Sequence, residues 1–277
     1  MRTVILRAFA MLLLIGALCG LICGLYVLDQ PEYDTFLNVA FIGTADEADC
    51  IILWQKDFAM MIDTGEDRDA EAILAFLAEM NITKLNYLVL THPDKDHIGS
   101  VPAVTHSLKV STVIQPFYQK ENDANRYVQA RLAQDNVRVV VPARVLHYSV
   151  NDVDIYVYPP LEKNYSENNN YSLAVYVKHR NVSMLLPGDA DNKRLDELMQ
   201  LDWDTVDLYK LPRHGWHSED SEELFSILRP EYSVVTADGV SGRFYETGSE
   251  WGTEWFFTEG NTVRFQSDGE TMHLIER

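Results

Sequence analysis

The stretch Leu90-Thr91-His92-Pro93-Asp94-Lys95-Asp96-His97-Ile98-Gly99 constrains this chain more than any other. Four metal-capable side chains, His92, Asp94, Asp96 and His97, follow directly on an apolar run, Leu85 to Leu90, that reads as a strand. Neutral imidazole and ionised carboxylate both bind divalent cations. Open α/β sheets place their sites at the carboxyl ends of strands. The pattern therefore predicts an α/β fold whose sheet ends in a metal-binding loop; the plainer reading is a solvated polar loop.

The rest of the chain supplies such a sheet. Phe36 to Ile42, Cys50 to Trp54 and Phe58 to Ile62 read as an opening meander of short strands. Ala70 to Met80 has helical apolar spacing, with Ile73, Leu74, Phe76 and Leu77 on one side. Further strands are predicted at Val110 to Ile114, Val137 to Val141, Val153 to Tyr158, Leu173 to Val177 and Val182 to Leu186, and helices over Asn125 to Ala133 and Asn192 to Gln200. The final third repeats the alternation: Leu208 to Leu211, a helix from Asp220 to Leu228, Tyr232 to Thr236, then short strands at Val263 to Phe265 and Met272 to Ile275. No interdomain linker or repeat interrupts it, so residues 31–277 read as one domain.

The amino terminus is different in kind. Ala8 to Leu28 carries no charged residue, long enough to cross a hydrocarbon core as a helix. Arg2 and Arg7 precede it and Asp29, Glu32 and Asp34 follow, which orients the amino terminus to the cytoplasm and the rest outside. Residues 1–30 thus read as a membrane anchor, the alternative being a cleaved signal segment and a secreted protein. Beyond that run only Cys50 remains, so the exported part has no internal disulfide to draw on. With Arg2 and Arg7 set aside, 21 basic residues face 42 acidic ones, a balance of −21. Such a surface repels polyanions and argues against tight, nonspecific nucleic-acid binding, although a metal site reverses the field locally.

Four more segments stand in order along the chain: Met61-Ile62-Asp63-Thr64-Gly65, Glu167-Asn168-Asn169-Asn170-Tyr171-Ser172, Leu186-Pro187-Gly188-Asp189 and Leu211-Pro212-Arg213-His214-Gly215-Trp216-His217-Ser218. Together with the His-x-Asp-x-Asp-His loop, they resemble the metallo-β-lactamase superfamily. More narrowly, they resemble the extracytoplasmic hydrolase domain of the ComEC family of DNA-uptake proteins. The resemblance covers residues 35 to 277 and implies an αββα sandwich, here preceded by one transmembrane helix. It also implies two divalent metal ions, zinc or manganese. His92 and Asp94 would bind one, Asp96, His97 and His214 the other, with Asp189 bridging. Asp63 would hold the metal loop by hydrogen bonds, Asn170 falls near where other members place a further His, and His217 either caps the following helix or touches substrate. Taken singly, Asp63, two residues before Gly65, and Asp189, directly after Gly188, also have a plainer reading as turn acids. His106, His147, His179 and His273 stand isolated and read as surface or core residues.

Two departures from the family pattern stand out. Arg213-His214 replaces the usual paired histidines, and Ala237 to Tyr245 contains no histidine where a late Tyr-Gly-His-Pro-like segment is expected. A site poorer in nitrogen and richer in oxygen accepts Mn²⁺ as well as Zn²⁺.

The chemistry implied is hydrolysis, with Asp96 orienting or deprotonating water and His214 or His217 stabilising the developing charge. The expected function is a membrane-anchored, extracytoplasmic phosphodiesterase or nuclease-like hydrolase. An envelope or small-molecule esterase on the same fold, and a degenerate metal-poor binding domain, remain as alternatives.

Overall fold

The computed structural model describes residues 35–276 except residue 205; the predicted anchor at residues 1–30 lies outside the described residues. Among the described residues no helix is long and apolar enough to cross a membrane.

Residues 36–276 form two sheets. The first is built from β1 (Leu37–Phe41), β2 (Ile51–Gln55), β3 (Phe58–Ile62), β4 (Lys84–Val89), β5 (Lys109–Ile114), β6 (Arg138–Val140), β14 (Val263–Ser267) and β15 (Met272–Glu276), in the order β15-β14-β1-β2-β3-β4-β5-β6. The second holds β7 (Leu146–Val150), β8 (Val153–Tyr158), β9 (Ala174–His179), β10 (Val182–Leu186), β11 (Leu208–Lys210), β12 (Tyr232–Val235) and β13 (Glu254–Phe257), in the order β13-β12-β11-β10-β9-β8-β7. Strands β1 to β3 form the expected antiparallel meander, and β3 to β6 then run parallel.

Alternation decides the layers. In β1, Leu37, Val39 and Phe41 point between the sheets and pack with Val153, Ile155, Val157, Val175 and Val177 of the other sheet, while Ala40 faces outward. The outer face of the first sheet is covered by α1 (Ala70–Glu79), the one-turn α2 (Lys95–Ile98), α3 (Val101–Ser107) and α4 (Asp123–Gln134), through Ile73, Leu77, Ile98, Val101, Val104, Val128 and Leu132. The outer face of the second is covered by α5 (Asn192–Met199), α6 (Glu219–Leu228) and α7 (Gly242–Ser249), through Leu195, Leu198, Leu224, Phe225, Leu228 and Phe244. Both sheets are thus buried on both faces, which is why their inner strands read as almost continuous apolar runs.

Several elements depart from the sequence expectations. Strands β7 and β13 and helices α2, α3 and α7 are additional. Strand β7 is a half-exposed edge strand, and α3, α2 and α7 are short or glycine-bearing, so their apolar periodicity is weak.

Candidate metal centre

The loops that leave the carboxyl ends of β3 and β4 meet those that leave β10, β11 and β12. Asp63 follows β3 with φ 57°, a left-handed conformation that aims its carboxylate back under the metal loop. It accepts from the Thr91 main-chain N–H at 2.7 Å and the Thr91 hydroxyl at 2.6 Å, and its Oδ2 lies 2.8 Å from His97 Nδ1. That contact assigns the proton to Nδ1 and turns His97 Nε2 toward the site. His214 is held the same way, its Nδ1 lying 2.9 Å from the Thr236 hydroxyl and 3.4 Å from Asp49 Oδ1. Its backbone is also left-handed, at φ 52°.

Two glycines let these loops close. Gly188 has φ 60°, and a Cβ there would lie 2.7 Å from the Thr91 side chain. Gly99 sits under the turn after β3, where a Cβ would meet the Asp67 main-chain nitrogen at 2.5 Å.

His97 Nε2 lies 3.4 Å from both Asp96 Oδ2 and Asp189 Oδ2; His214 Nε2 lies 3.4 Å from Asp96 Oδ2 and 3.3 Å from Asp189 Oδ2. Both Nε2 atoms are buried and lack a hydrogen-bond partner of proper geometry. The four donor atoms lie within 4.8 Å of one another. Donors roughly 2.0–2.1 Å from a shared tetrahedral ion stand about 3.3 Å apart. The structure therefore brings together Asp96, His97, Asp189 and His214 as a set that fits one divalent cation.

His92 and Asp94 stand beside this set on wider spacings. His92 Nε2 is 4.0 Å from Asp94 Oδ2 and 4.0 Å from Asp189 Oδ2, and its ring lies 4.0 Å from that of His97. Asn170 is 1% exposed, and its Oδ1 accepts from the Arg194 main-chain N–H at 2.9 Å. It fastens the start of α5. His217 does not cap α6, since the Ser218 hydroxyl does so by accepting from the Ser221 N–H. Its Nε2 pairs with Glu222 Oε2 at 2.7 Å, and it lines an open depression of about 390 Å³ with His214, Trp216 and Val240. Of the isolated histidines, His179 is buried against the Ser267 hydroxyl, while His147 and His273 lie at the surface.

Three contributors escape sequence reasoning. Lys210, fully buried in β11, sets its ammonium against Asp49 and lies 3.1 Å from the Gly188 carbonyl and 3.5 Å from Asp189 Oδ1. Lys120 lies 2.8 Å from Asp94 Oδ1. A lone lysine inside the apolar run Leu208 to Leu211 was a readable signal for the first; nothing local marks Asp49 or Lys120.

Electrostatics follow from these contacts. Burial opposes charge on His214, but Asp189 and Asp49 overcome it and push its pKa up to about 11. Burial likewise opposes charge on His97, which Asp189, Asp63 and Asp96 nevertheless hold protonated well above the usual imidazole range. Despite burial, His97 and His214 keep Asp96 ionised far below the ordinary carboxylate range, and His214, His97 and Lys210 do so for Asp189. His92 moves the other way, lowered by burial and by the charge of His97. Imidazolium thus stands in for metal charge among the protein groups alone, and metal uptake has to displace protons.

Comparison with known proteins agrees with this geometry. The family model described as metallo-beta-lactamase superfamily matches residues 43–237. The chain is 26% identical over 178 residues to ComE operon protein 3 of Bacillus subtilis, covering 63% of this chain and 23% of that protein. It is 24% identical over 165 residues to Recombination protein 2 of Haemophilus influenzae, covering 60% of this chain and 19% of the relative. The matches thus span about a fifth to a quarter of these curated relatives. Among solved structures, the metallo-beta-lactamase fold protein YhfI of Bacillus subtilis superposes with a TM-score of 0.57 at 10% identity, over 84% of this chain and 100% of that one. The fold family implies divalent metal, and the buried donor set fits it. The chain is similar over part of its length to ComE operon protein 3 and Recombination protein 2, and it belongs to the metallo-β-lactamase superfamily.

Proposed function

We propose that this protein is a metal-dependent hydrolase of phosphodiesters, nucleic acid among them. The observation that carries the proposal is the convergence of two orphaned, buried imidazole nitrogens on two ionised carboxylates at one point of the fold. Asp96, His97, Asp189 and His214 would hold one divalent cation, zinc or manganese, and His92 and Asp94 would share Asp189 to hold a second. Cations there would supply Lewis-acid polarisation of a phosphoryl oxygen and make water acidic enough to attack.

The chain's own groups do the rest. The Asp96 side chain is 31% exposed, the most accessible of the four converging donors, so it is the one that reaches incoming water and orients it. His217 faces the open depression, fixed by Glu222, and is placed to steady negative charge on a substrate oxygen. Next to it, Trp216 is 64% exposed, with the Arg213 guanidinium 6.0 Å from its ring centroid. The Arg213 guanidinium is itself paired with Asp191 Oδ2 at 2.8 Å, so it is the exposed indole that favours a substrate with a ring to stack, a nucleobase or an aromatic ester.

The net charge of −19 opposes long-range attraction of a polyanion, so phosphate attraction has to come from the metal site and its few neighbouring cations. The test compares a chromogenic phosphodiester, single-stranded DNA and a neutral ester with Mn²⁺ or Zn²⁺. Expected are metal-dependent cleavage of the small phosphodiester and weak, strongly salt-sensitive cleavage of DNA. Activity confined to the neutral ester overturns the reading.

Residues 1–30 are proposed to anchor residues 31–277 outside the cytoplasm, a reading supported by the uncharged run Ala8 to Leu28 and its flanking charges. A reporter fused after Arg277 should then be active outside and remain with the membrane. Full-length protein in the cytosol overturns that topology.

A further inference from the structure

The two proposed cation positions differ in one respect that neither motif nor family match records. Lys120 belongs to the connection between β5 and α4, and its ammonium lies 2.8 Å from Asp94 Oδ1. The connection is well fixed. The Lys120 carbonyl accepts from the Asn122 main-chain N–H and the Asn125 side chain, both at 3.0 Å. Two residues earlier, Tyr118 stacks on Tyr171 at 4.1 Å and donates its hydroxyl proton to Asn168 Oδ1 at 2.8 Å. Lys120 is therefore presented to Asp94 by ordered chain.

We infer that Lys120 makes the two positions unequal: the Asp96, His97, Asp189 and His214 position loads one divalent ion tightly, whereas the His92 and Asp94 position loads a second only weakly, in competition with the Lys120 ammonium. The inference rests on the metal-binding part of the proposed function. Three observations carry it. At the tight position each imidazole nitrogen stands 3.3 to 3.4 Å from both carboxylate oxygens, and neither nitrogen has another hydrogen-bond partner. At the other position the spacings widen to 4.0 Å, and the one carboxylate that is not shared is already neutralised by an ammonium. Asn170, which stands where the motif order of the family has a further histidine, brings no imidazole nitrogen, and its Oδ1 accepts from the Arg194 main-chain N–H. A lysine on a flexible stem can swing away, so the second ion is excluded by competition and enters at high concentration.

The test is equilibrium metal binding by the full chain, read as ions bound per chain and as dissociation constants, for wild type, Lys120→Met and Lys120→Arg. Expected for wild type is one ion retained after gel filtration and a second seen only in excess metal. Lys120→Met should tighten the second step at least tenfold and leave the first unchanged, while Lys120→Arg should resemble wild type. Thermal unfolding of the metal-free variants establishes that they fold. Two equally tight ions in wild type, or an unchanged second step in Lys120→Met, overturn the inference while leaving the metal site standing. Absence of even the first ion overturns the metal reading itself, and the inference with it.

Discussion

Lys210→Met removes a fully buried charge while keeping most of the side chain's volume. Lys210 has no exposure, and its ammonium is shared between Asp49, the Gly188 carbonyl and Asp189. Burial alone would lower its pKa, but Asp49 and Asp189 raise it above the ordinary lysine value, so it is charged at neutral pH. Breaking a buried pair from one side costs about 3–5 kcal/mol, because the stranded carboxylate stays behind. Asp189 keeps His97 and His214 as partners, which places the expected loss near the lower end, about 3 kcal/mol. For a domain of this size that corresponds to roughly 6–12 °C in Tm. The loss should depend on metal: a cation on Asp189 and Asp96 returns positive charge to the same cluster, so the deficit is large in chelator and shrinks when metal is bound. Urea unfolding of wild type and variant, with chelator and with metal, measures both numbers as midpoint shifts at constant slope. A variant within 1 kcal/mol of wild type in chelator, or an equal deficit under both conditions, refutes the role of Lys210 as the charge that keeps Asp49 and Asp189 together.

Asp63→Asn leaves the shape of the turn but weakens the bond that orients His97; metal affinity should fall about 10- to 100-fold, measured by chelator competition. Replacing Asp96, His97 or His214 with Ala should lower bound metal and hydrolysis together, and metal retained without hydrolysis in Asp96→Ala would assign that residue to proton transfer alone. Gly188→Ala places a methyl against Thr91 at a left-handed position and should cost about 1–3 kcal/mol, read from its denaturation midpoint. In chelator, the raised pKa values of His97 and His214 contribute stability that is complete below their ordinary value of 6.5 and lost as pH rises toward about 11. The depressed Asp49, Asp96 and Asp189 contribute stability present above their ordinary value of 3.8 and lost as pH falls below it. Tm in chelator should therefore be highest between these limits, and a steady rise from pH 6.5 to 9 would contradict the assignment.

How much of this was legible varied with the kind of constraint. Strands buried on both faces announce themselves as apolar runs: Phe58–Ile62, Val153–Tyr158 and Val182–Leu186 have the bounds the sequence predicts. The edge strand Leu146–Val150 sets only Leu146, Tyr148 and Val150 against the core, each half-exposed, with His147 and Ser149 between them, so it forms no continuous apolar run. At the site, the dense His92 to His97 loop and the ordered motifs after it were readable because their donors lie close in sequence or beside glycine. Asp49 and Lys120 were not, since each acts through partners brought near only by folding, Lys210 and His214 in one case and Asp94 in the other. Asn170 was legible only as a place in the motif order; that its Oδ1 holds the start of α5 depends on a partner 24 residues away.

The donors come from opposite halves of the sandwich, His97 from a loop of the first sheet and Asp189 from a loop of the second. An ion held by both is therefore a staple across the layers, closing a loop of roughly ninety residues in the manner of a removable cross-link. Such a staple ties the unfolding of one layer to that of the other. Stripping it should loosen the loops beyond the strand ends before either sheet gives way, so amide exchange in chelator ought to accelerate first around the turns carrying Asp63 and Gly188, with the apolar layer between the sheets the last to open.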